Sequence, residues 1–211
     1  MPNSKIILIC RCNHDDKVKY PFCWAELVKE EAKEKGIKVI DLKEENYTEE
    51  KFKSMIEQFD PFFVFCNGHG NLYSTQGHKD CCVIEACKND ILLRGRIAYL
   101  LSCDTVRILG KSAVNKGCPF YIGYISKFKF PIASPEPDDL LDDMWARGFM
   151  KASNQIPLTI LDGGTPEEAY ENSQKEFDRW IKYWESQEIE GASFVASFLR
   201  NAKNSQVMRI G

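Results

Sequence analysis

The sequence predicts an α/β sandwich, in which a mostly parallel central sheet is covered by helices on both faces. Short apolar runs alternate with segments of helical periodicity along most of the chain. The apolar runs are continuous and rich in β-branched or aromatic residues, which is typical of strands buried on both faces. Strands that alternate with helices are joined by right-handed crossovers and pair in parallel. Together these observations favour a three-layer arrangement.

Six strands are predicted from the apolar runs, which are each five to seven residues long. They are 5–10 (KIILIC), 38–42 (KVIDL), 62–66 (FFVFC), 96–102 (RIAYLLS), 119–125 (PFYIGYI) and a short closing strand at 206–210. A loop with a short hairpin is also expected within 71–86.

Helices are predicted where apolar residues recur three and four positions apart and where cap residues stand at the expected ends. They cover 22–35, a segment that begins at Thr48, 106–116, segments that begin at Ser134 and at Thr165, and 191–203. At Thr165, a proline follows the cap and Glu168 completes a capping box. The helix that follows carries one stripe, which we interpret as core packing: Ala169, Ser173, Phe177, Trp180, Ile181 and Trp184.

Length and charge restrict the class of protein. With 211 residues, a single domain over 1–211 is expected. The net charge is −3 and no basic run is present, so neither nucleic acid nor an anionic membrane is expected as a partner. No apolar run approaches the roughly 20 residues of a membrane span. The stretch Ile6–Cys10 is too short for the core of a secretion signal, so a cytoplasmic protein is expected.

The nine cysteines are interpreted as free thiols, because their number is odd and several lie inside apolar runs. The closest approaches to a metal motif are 10–14 (CRCNH) and the three cysteines within 81–87. Neither has the paired CxxC spacing of a closed zinc site. We therefore expect no metal and no cofactor.

Two predicted strands end in residues that suit nucleophilic catalysis. His69 follows the third strand, and Cys103 follows the fourth. Reactive groups of parallel sheets lie just beyond the carboxyl ends of the strands, and neighbouring strands are only ~4.8 Å apart. A histidine beside a cysteine promotes the thiolate and later protonates the leaving amine. The pattern therefore predicts His69 and Cys103 as a catalytic pair.

Residues next to this pair have predicted supporting roles. Gly68 and Gly70 permit tight turns and leave room for a substrate chain. The backbone amides of Gly70 and Cys103 are expected to form an oxyanion hole. A helix that starts at Thr105 is expected to favour the Cys103 thiolate through its dipole. Asp104 is expected to line the substrate pocket or to cap that helix.

The order of these blocks resembles that of clan CD cysteine peptidases, which include caspases, metacaspases, gingipains, legumain and separase. The closest likeness is to the prokaryotic CHAT group. NGHGN at 67–71 is similar to its His-Gly block, and YLLSCDT at 99–105 is similar to its cysteine block. The segments at 109–125, 163–174 and 198–211 are also similar to segments of that group.

This likeness extends over residues 5–211, and it implies a caspase-like fold with cysteine endopeptidase activity. It further implies that His69 is the general acid/base, Cys103 the nucleophile and Gly70 an oxyanion donor. Two features differ from the family. Ser102 stands directly before the cysteine, where many CHAT members have a small residue between, and the 34 positions from His69 to Cys103 are a short gap.

Other polar residues receive simpler interpretations. His78 lies in a polar loop and is expected to be solvated, with a role as an alternative base less favoured. The aspartates within 138–143 are interpreted as the solvated face of a helix, with attraction of a basic partner as the alternative. Cys81-Cys82 resembles a metacaspase motif superficially, but it follows His69 too closely and no buried strand precedes it.

The predicted function is a cysteine endopeptidase that cleaves a peptide or protein substrate through an acyl-enzyme. The alternative is a catalytically silent module of the same fold that acts in binding or regulation. A nucleotide-binding or flavodoxin-like domain is disfavoured, because 10–14 is not a glycine-rich phosphate loop. CHAT-like domains are often joined to sensor modules, so a separate activator or sensor protein is a candidate partner.

Overall fold

A central sheet organises the protein in the computed structural model, which describes residues 5–211. The strands are β1 (Ile6–Arg11), β2 (Lys38–Lys43), β3 (Phe63–Asn67), β4 (Ser74–Gln76), β5 (Cys82–Glu85), β6 (Ile97–Leu101), β7 (Phe120–Tyr124) and β8 (Gln206–Ile210). Six of them form one sheet in the order β2-β1-β3-β6-β7-β8. Every neighbouring pair in this sheet is parallel except β7 and β8. Strands β4 and β5 form a separate antiparallel hairpin, which confirms the hairpin expected within 71–86.

Within the described residues 5–211, six helices surround the sheet. They are α1 (Lys19–Glu34), α2 (Glu49–Phe59), α3 (Lys111–Asn115), α4 (Met144–Leu161), α5 (Pro166–Glu185) and α6 (Ala192–Ser205). A π-helical turn (Val106–Gly110) leads into α3.

Alternate strand residues face two different helical layers. Ile7 and Phe65 belong to the apolar cluster that includes residues of α1 and α4. Leu8 and Val64 belong to the opposite cluster, which includes residues of α2 and of the β4–β5 hairpin. A third cluster joins α4, α5 and α6 outside the sheet. The prediction of a three-layer α/β sandwich with a mostly parallel central sheet is therefore confirmed.

The start of helix α5 agrees with the predicted capping box, whereas helix α1 begins earlier than predicted. In α5, the Thr165 hydroxyl accepts a hydrogen bond from the Glu168 N–H at 3.1 Å, and the Glu168 carboxylate accepts one from the Thr165 N–H at 2.7 Å. This confirms the capping box. All six residues of the predicted stripe are buried: Ala169, Ser173, Phe177, Trp180, Ile181 and Trp184. Helix α1 begins at Lys19 instead of residue 22, after a turn held by the Asp15 side chain.

The prediction of a helix that begins at Ser134 is wrong. Residues 126–139, which we call the wall segment, contain no helix or strand. Helix α4 begins instead at Met144, because the Asp143 carboxylate caps it and accepts hydrogen bonds from the first-turn N–H groups at 2.8 and 3.3 Å. A Ser-Pro pair suits a turn as well as a helix start, and here the cap at Asp143 decides where the helix begins.

The aspartates within 138–143 are also not the solvated face of a helix. Asp143 is only 1% exposed, and its carboxylate additionally accepts hydrogen bonds from the Tyr20 hydroxyl at 2.6 Å and from the Ala133 N–H at 2.9 Å. Asp139 caps a short 3₁₀ turn through the Leu141 N–H. Asp143 thus joins α1, the wall segment and the start of α4.

The nine cysteines are all free thiols, as predicted. Within residues 5–211, no helix has both the length and the apolar character required to cross a membrane.

Candidate active site

His69 and Cys103 are brought together by the register of two neighbouring strands. Strands β3 and β6 pair in parallel, with Asn67 opposite Leu101. His69 lies two residues beyond Asn67, and Cys103 lies two residues beyond Leu101. Their equal offset sets both residues at the same edge of the sheet, on strands that are ~4.8 Å apart.

Both residues line one cavity with a volume of about 370 Å³, which we call the His69–Cys103 cavity. Its apolar lining comes from α1 and the turn before it, the end of β6, the wall segment and α6. These apolar residues are Val18, Pro21, Leu101, Phe128, Phe130, Ile132 and Phe198. Asp16, Lys17 and Lys129 are the charged residues of the lining.

A hydrogen-bond network connects the loop that carries His69 to the loop that carries Cys103. The buried Ser102 hydroxyl bonds the Thr75 hydroxyl at 2.9 Å. The Thr75 hydroxyl in turn donates to the His69 carbonyl at 3.4 Å, and the Gln76 N–H donates to the same carbonyl at 2.9 Å. The β4–β5 hairpin therefore braces the His69 loop against the Cys103 loop.

The backbone at Gly70 comes closer to the cysteine loop than a side chain would allow. A Cβ atom at Gly70 would lie 2.7 Å from the Cys103 carbonyl oxygen and 2.8 Å from the Ser102 Cβ. Within the described residues, the amides of Gly70 and Cys103 donate no backbone hydrogen bond. Both amides remain available as donors, as an oxyanion hole requires.

The His69 ring is hydrogen-bonded to a carboxylate that sequence reasoning missed. His69 Nε2 lies 2.7 Å from Asp15 Oδ2. The other Asp15 oxygen accepts hydrogen bonds from the N–H groups of Lys17 at 2.8 Å and Val18 at 3.2 Å, which fixes the carboxylate. In the part of the chain described, His69 Nδ1 makes no hydrogen bond. A carboxylate on one ring nitrogen sets the tautomer that leaves the other nitrogen free to accept a proton.

Asp15 is charged in this environment. Burial alone would raise the pKa of Asp15, but the hydrogen bonds from His69 and from two backbone N–H groups outweigh burial and hold the pKa below its ordinary value. The feature that could have identified Asp15 is its position just after β1, because β1 lies next to β3 in the sheet. Residues that follow β1 and β3 therefore share the edge that holds His69.

The Cys103 thiol is neutral at rest. Burial raises its pKa above the ordinary value, and the Asp104 charge adds to this effect. A hydrogen bond from the Phe128 backbone and the charges of Lys127 and Lys17 oppose the rise but do not cancel it. A helix at Thr105 is expected to favour the thiolate and so to lower the pKa of Cys103, but burial raises this pKa above its ordinary value. A π-helical turn rather than a regular α-helix follows Cys103.

Asp104 does not line the His69–Cys103 cavity. Its backbone adopts a left-handed conformation with φ +62°, and its N–H donates to the Ser126 carbonyl at 3.3 Å. Among the described residues, the Asp104 carboxylate makes no hydrogen bond, so it does not cap the turn after Cys103. The residues that line the cavity come instead from α1 and the turn before it, the end of β6, the wall segment and α6.

A second group of polar side chains lies around His69, next to Asp15. The chain has three histidines, and the His14 ring is 5.8 Å from that of His69 and 5.7 Å from that of His78. Asp80 Oδ1 lies 3.3 Å from His14 Nε2 and 4.0 Å from His69 Nε2. We call His14, His69, His78 and Asp80 the histidine cluster. The prediction that His78 is solvated is correct only in part, because the residue is half-buried, its Nδ1 is buried and its ring packs against that of His14.

The chain matches no family model and no curated protein sequence. The roles of His69 and Cys103 therefore depend on the geometry of the site itself.

Proposed function

We propose that the protein is a cysteine endopeptidase with Cys103 as the nucleophile and His69 as the general acid/base. The observation that carries this proposal is that both side chains line one cavity at the same edge of the sheet. Asp15 strengthens it, because its carboxylate on His69 Nε2 orients the ring and stabilises the imidazolium that forms. The constellation is then a Cys-His-Asp triad.

The reaction begins with a neutral thiol, because burial raises the pKa of Cys103. As the sulfur attacks the substrate carbonyl carbon, the thiol proton moves to His69 Nδ1. The peptide C–N bond then breaks, and the imidazolium returns that proton to the leaving amine. Water, deprotonated by His69, hydrolyses the resulting thioester and restores the thiol. The amides of Gly70 and Cys103 donate to the oxyanion of both tetrahedral intermediates.

The lining of the cavity favours a large apolar side chain on the acyl side of the scissile bond. Phe128, Phe130, Ile132 and Phe198 surround the space next to Cys103. Burial of an apolar side chain there would contribute about 25 cal/mol per Å² removed from water. Asp104 is predicted from the sequence to bind substrate. It does not line the cavity, so no contact there supports that role.

A second cleft continues from the first and suits an extended chain. The two clefts share Lys129 and Phe198. The second one, of about 570 Å³, also contains Arg107 and Lys127. Three cationic side chains along it favour acidic residues on one side of the cleaved bond.

The resemblance to clan CD peptidases, and to the CHAT group in particular, enters here as part of the proposal. The support is the order of the His-Gly and cysteine blocks on neighbouring parallel strands. A cytoplasmic setting is proposed as well, because nine free thiols suit a reducing compartment. A separate activator or sensor protein is the proposed regulatory partner.

One observation favours the alternative of a catalytically silent binding module. The pKa of Cys103 is raised, whereas many catalytic thiols are activated by a lowered pKa. In that alternative, the apolar cavity would bind a peptide without cleaving it. The two functions differ in whether product peptides form.

The test is cleavage of a diverse peptide mixture, followed by mass spectrometry, with wild-type protein and two variants. Cys103→Ala should abolish cleavage, while Cys87→Ala, which changes an exposed thiol, should leave it intact. Unchanged circular dichroism would show that both variants fold. Product formation by folded Cys103→Ala protein would overturn the assignment of the nucleophile.

A further inference from the structure

We infer that His14, His69 and Asp80 form a binding site for a divalent transition-metal ion such as Zn²⁺. One ring nitrogen of each histidine and one carboxylate oxygen of Asp80 lie within 4.8 Å of one another. The site shares His69 with the proposed catalytic triad. Its regulatory consequence therefore rests on the proposed function, whereas metal binding itself does not.

The spacing of these three atoms requires little movement to coordinate a metal. Zinc binds imidazole nitrogen and carboxylate oxygen at about 2.0–2.2 Å, so tetrahedral ligand atoms are about 3.4 Å apart. His14 Nε2 and Asp80 Oδ1 are already 3.3 Å apart, and His69 Nε2 is 4.0 Å from the same oxygen. Small side-chain rotations would complete the contraction.

The type of ligand selects the metal. Two imidazoles and one carboxylate suit zinc and its neighbours in the transition series, whereas Mg²⁺ and Ca²⁺ prefer oxygen ligands alone. Three protein ligands leave the fourth position of a tetrahedral site open for water or a further ligand.

The surrounding structure leaves the His14 ring mostly buried, with one nitrogen unpaired within the described part of the chain. His14 is only 12% exposed, and its Nδ1 is buried and has no hydrogen-bond partner among the described residues. Lys79 and Asp80 both adopt left-handed backbone conformations, with φ of +51° and +60°. Such conformations are costly for residues other than glycine, and here they direct the Asp80 carboxylate at two histidines.

Metal binding at His69 would switch off the proposed catalysis through the tautomer of the ring. Without metal, Asp15 holds the proton on Nε2 and leaves Nδ1 as the base. A metal ion on Nε2 takes that position, so the neutral ring carries its proton on Nδ1 and cannot accept the thiol proton from Cys103. The metal would act as a reversible inhibitor that competes with Asp15 for one nitrogen.

The experiment is titration of chelator-treated protein with Zn²⁺ in competition with a chromophoric chelator. We expect one equivalent to bind, and we expect His14→Gln and Asp80→Asn each to weaken binding by roughly tenfold or more. Asparagine tolerates a left-handed backbone, so Asp80→Asn preserves the loop. Asp16→Asn, which changes an exposed carboxylate two positions from His14, is the matched control and should bind as the wild type does.

Cys103→Ser and Co²⁺ substitution exclude coordination by the cysteines. Zinc affinity should survive in Cys103→Ser, and the cobalt protein should lack a thiolate-to-cobalt charge-transfer band. Loss of zinc binding in Cys103→Ser, a thiolate band, or equal affinity in the wild type and His14→Gln would each overturn the metal site.

To test the inhibitory role, the cleavage rate of each variant is measured with Zn²⁺ and with chelator. The ratio of the two rates gives the inhibition by zinc. We expect inhibition of the wild type at the zinc concentration that fills the site, and at least tenfold more zinc for the same inhibition in Asp80→Asn. If zinc binds as expected and Cys103-dependent cleavage never appears, the proposed function fails and the metal site stands. If cleavage appears and zinc fills the site without inhibiting it, the inferred regulation fails alone.

Discussion

His69 has two kinds of neighbours: the residues of the cavity that contains Cys103, which form the cavity side, and Asp15, His14 and Asp80, which form the polar side. The cavity side is lined mostly by apolar residues of α1, the wall segment and α6. The polar side consists of two carboxylates and one imidazole. Asp15 Oδ2 lies 2.7 Å and Asp80 Oδ1 lies 4.0 Å from His69 Nε2, and the His14 ring centroid lies 5.8 Å from that of His69. In the proposed mechanism, Cys103 gives its proton to Nδ1, while Asp15 is hydrogen-bonded to Nε2. Substrate contacts and the orientation of the ring can therefore be tested with separate variants.

His69→Ala removes the ring that both sides share and should have the largest effect. We expect a loss of about 10³-fold in kcat/KM, because the thiol loses its proton acceptor. The measurement is peptide cleavage with and without added imidazole. Partial rescue by imidazole would identify a missing base, whereas activity near that of the wild type without imidazole would contradict the assignment.

Asp143→Ala tests the support of the apolar side. The buried carboxylate accepts hydrogen bonds from the Tyr20 hydroxyl, from Ala133 and from the first turn of α4. Its removal should lower the free energy of unfolding by about 2–4 kcal/mol, since several buried donors lose their partner. Tyr20→Phe removes one of these bonds and should cost about 1 kcal/mol. Denaturant unfolding measures both variants, and an equal cost for the two would contradict the role of Asp143 as a junction.

Asp15→Asn tests the polar side, because it replaces the carboxylate with an uncharged amide of nearly the same shape. The variant should lower kcat by about 10- to 100-fold with little change in KM, because the amide can no longer stabilise the imidazolium. Asp162→Asn, at an exposed carboxylate that does not line the cavity, is the control. A change in KM with kcat preserved would place Asp15 in substrate binding instead.

Phe198→Ala tests the apolar side in the middle of α6 and should have the smallest effect. We expect kcat/KM to fall by about tenfold for substrates with a large apolar residue on the acyl side, and to change little for substrates with alanine there. Leu27→Ala, at an exposed side chain of α1 that does not line the cavity, is the control. Equal losses on both substrates would argue against a pocket at Phe198.

The fold, and the placement of His69 and Cys103 at one edge of the sheet, could be predicted because both follow from local patterns. Continuous apolar runs identified the strands of the central sheet, and the positions of His69 and Cys103 at two strand ends needed only the rule for parallel sheets. Such local patterns do not determine the order of the strands in the sheet. Asp15 therefore escaped prediction, since its role depends on β1 lying beside β3.

The wall segment could not be predicted for a similar reason. The start of α4 depends on Asp143, and Asp143 is buried through a hydrogen bond to Tyr20, which is 123 positions away. Local propensity at Ser134 could not reveal that contact. The histidine cluster was missed as well, because His14, His69 and Asp80 follow three different strands or turns and show no metal-binding spacing along the chain.

The central claim is that His69 activates Cys103 toward a carbonyl-directed electrophile in the cavity. It is tested most directly with a peptide chloromethyl ketone that carries a large apolar residue next to the reactive carbon. Mass spectrometry should locate the adduct on Cys103 in the wild type, with the exposed Cys87 unmodified and the labelling rate at least tenfold lower in His69→Ala. Labelling of Cys103 at the same rate in both proteins, or labelling of Cys87 first, would contradict it.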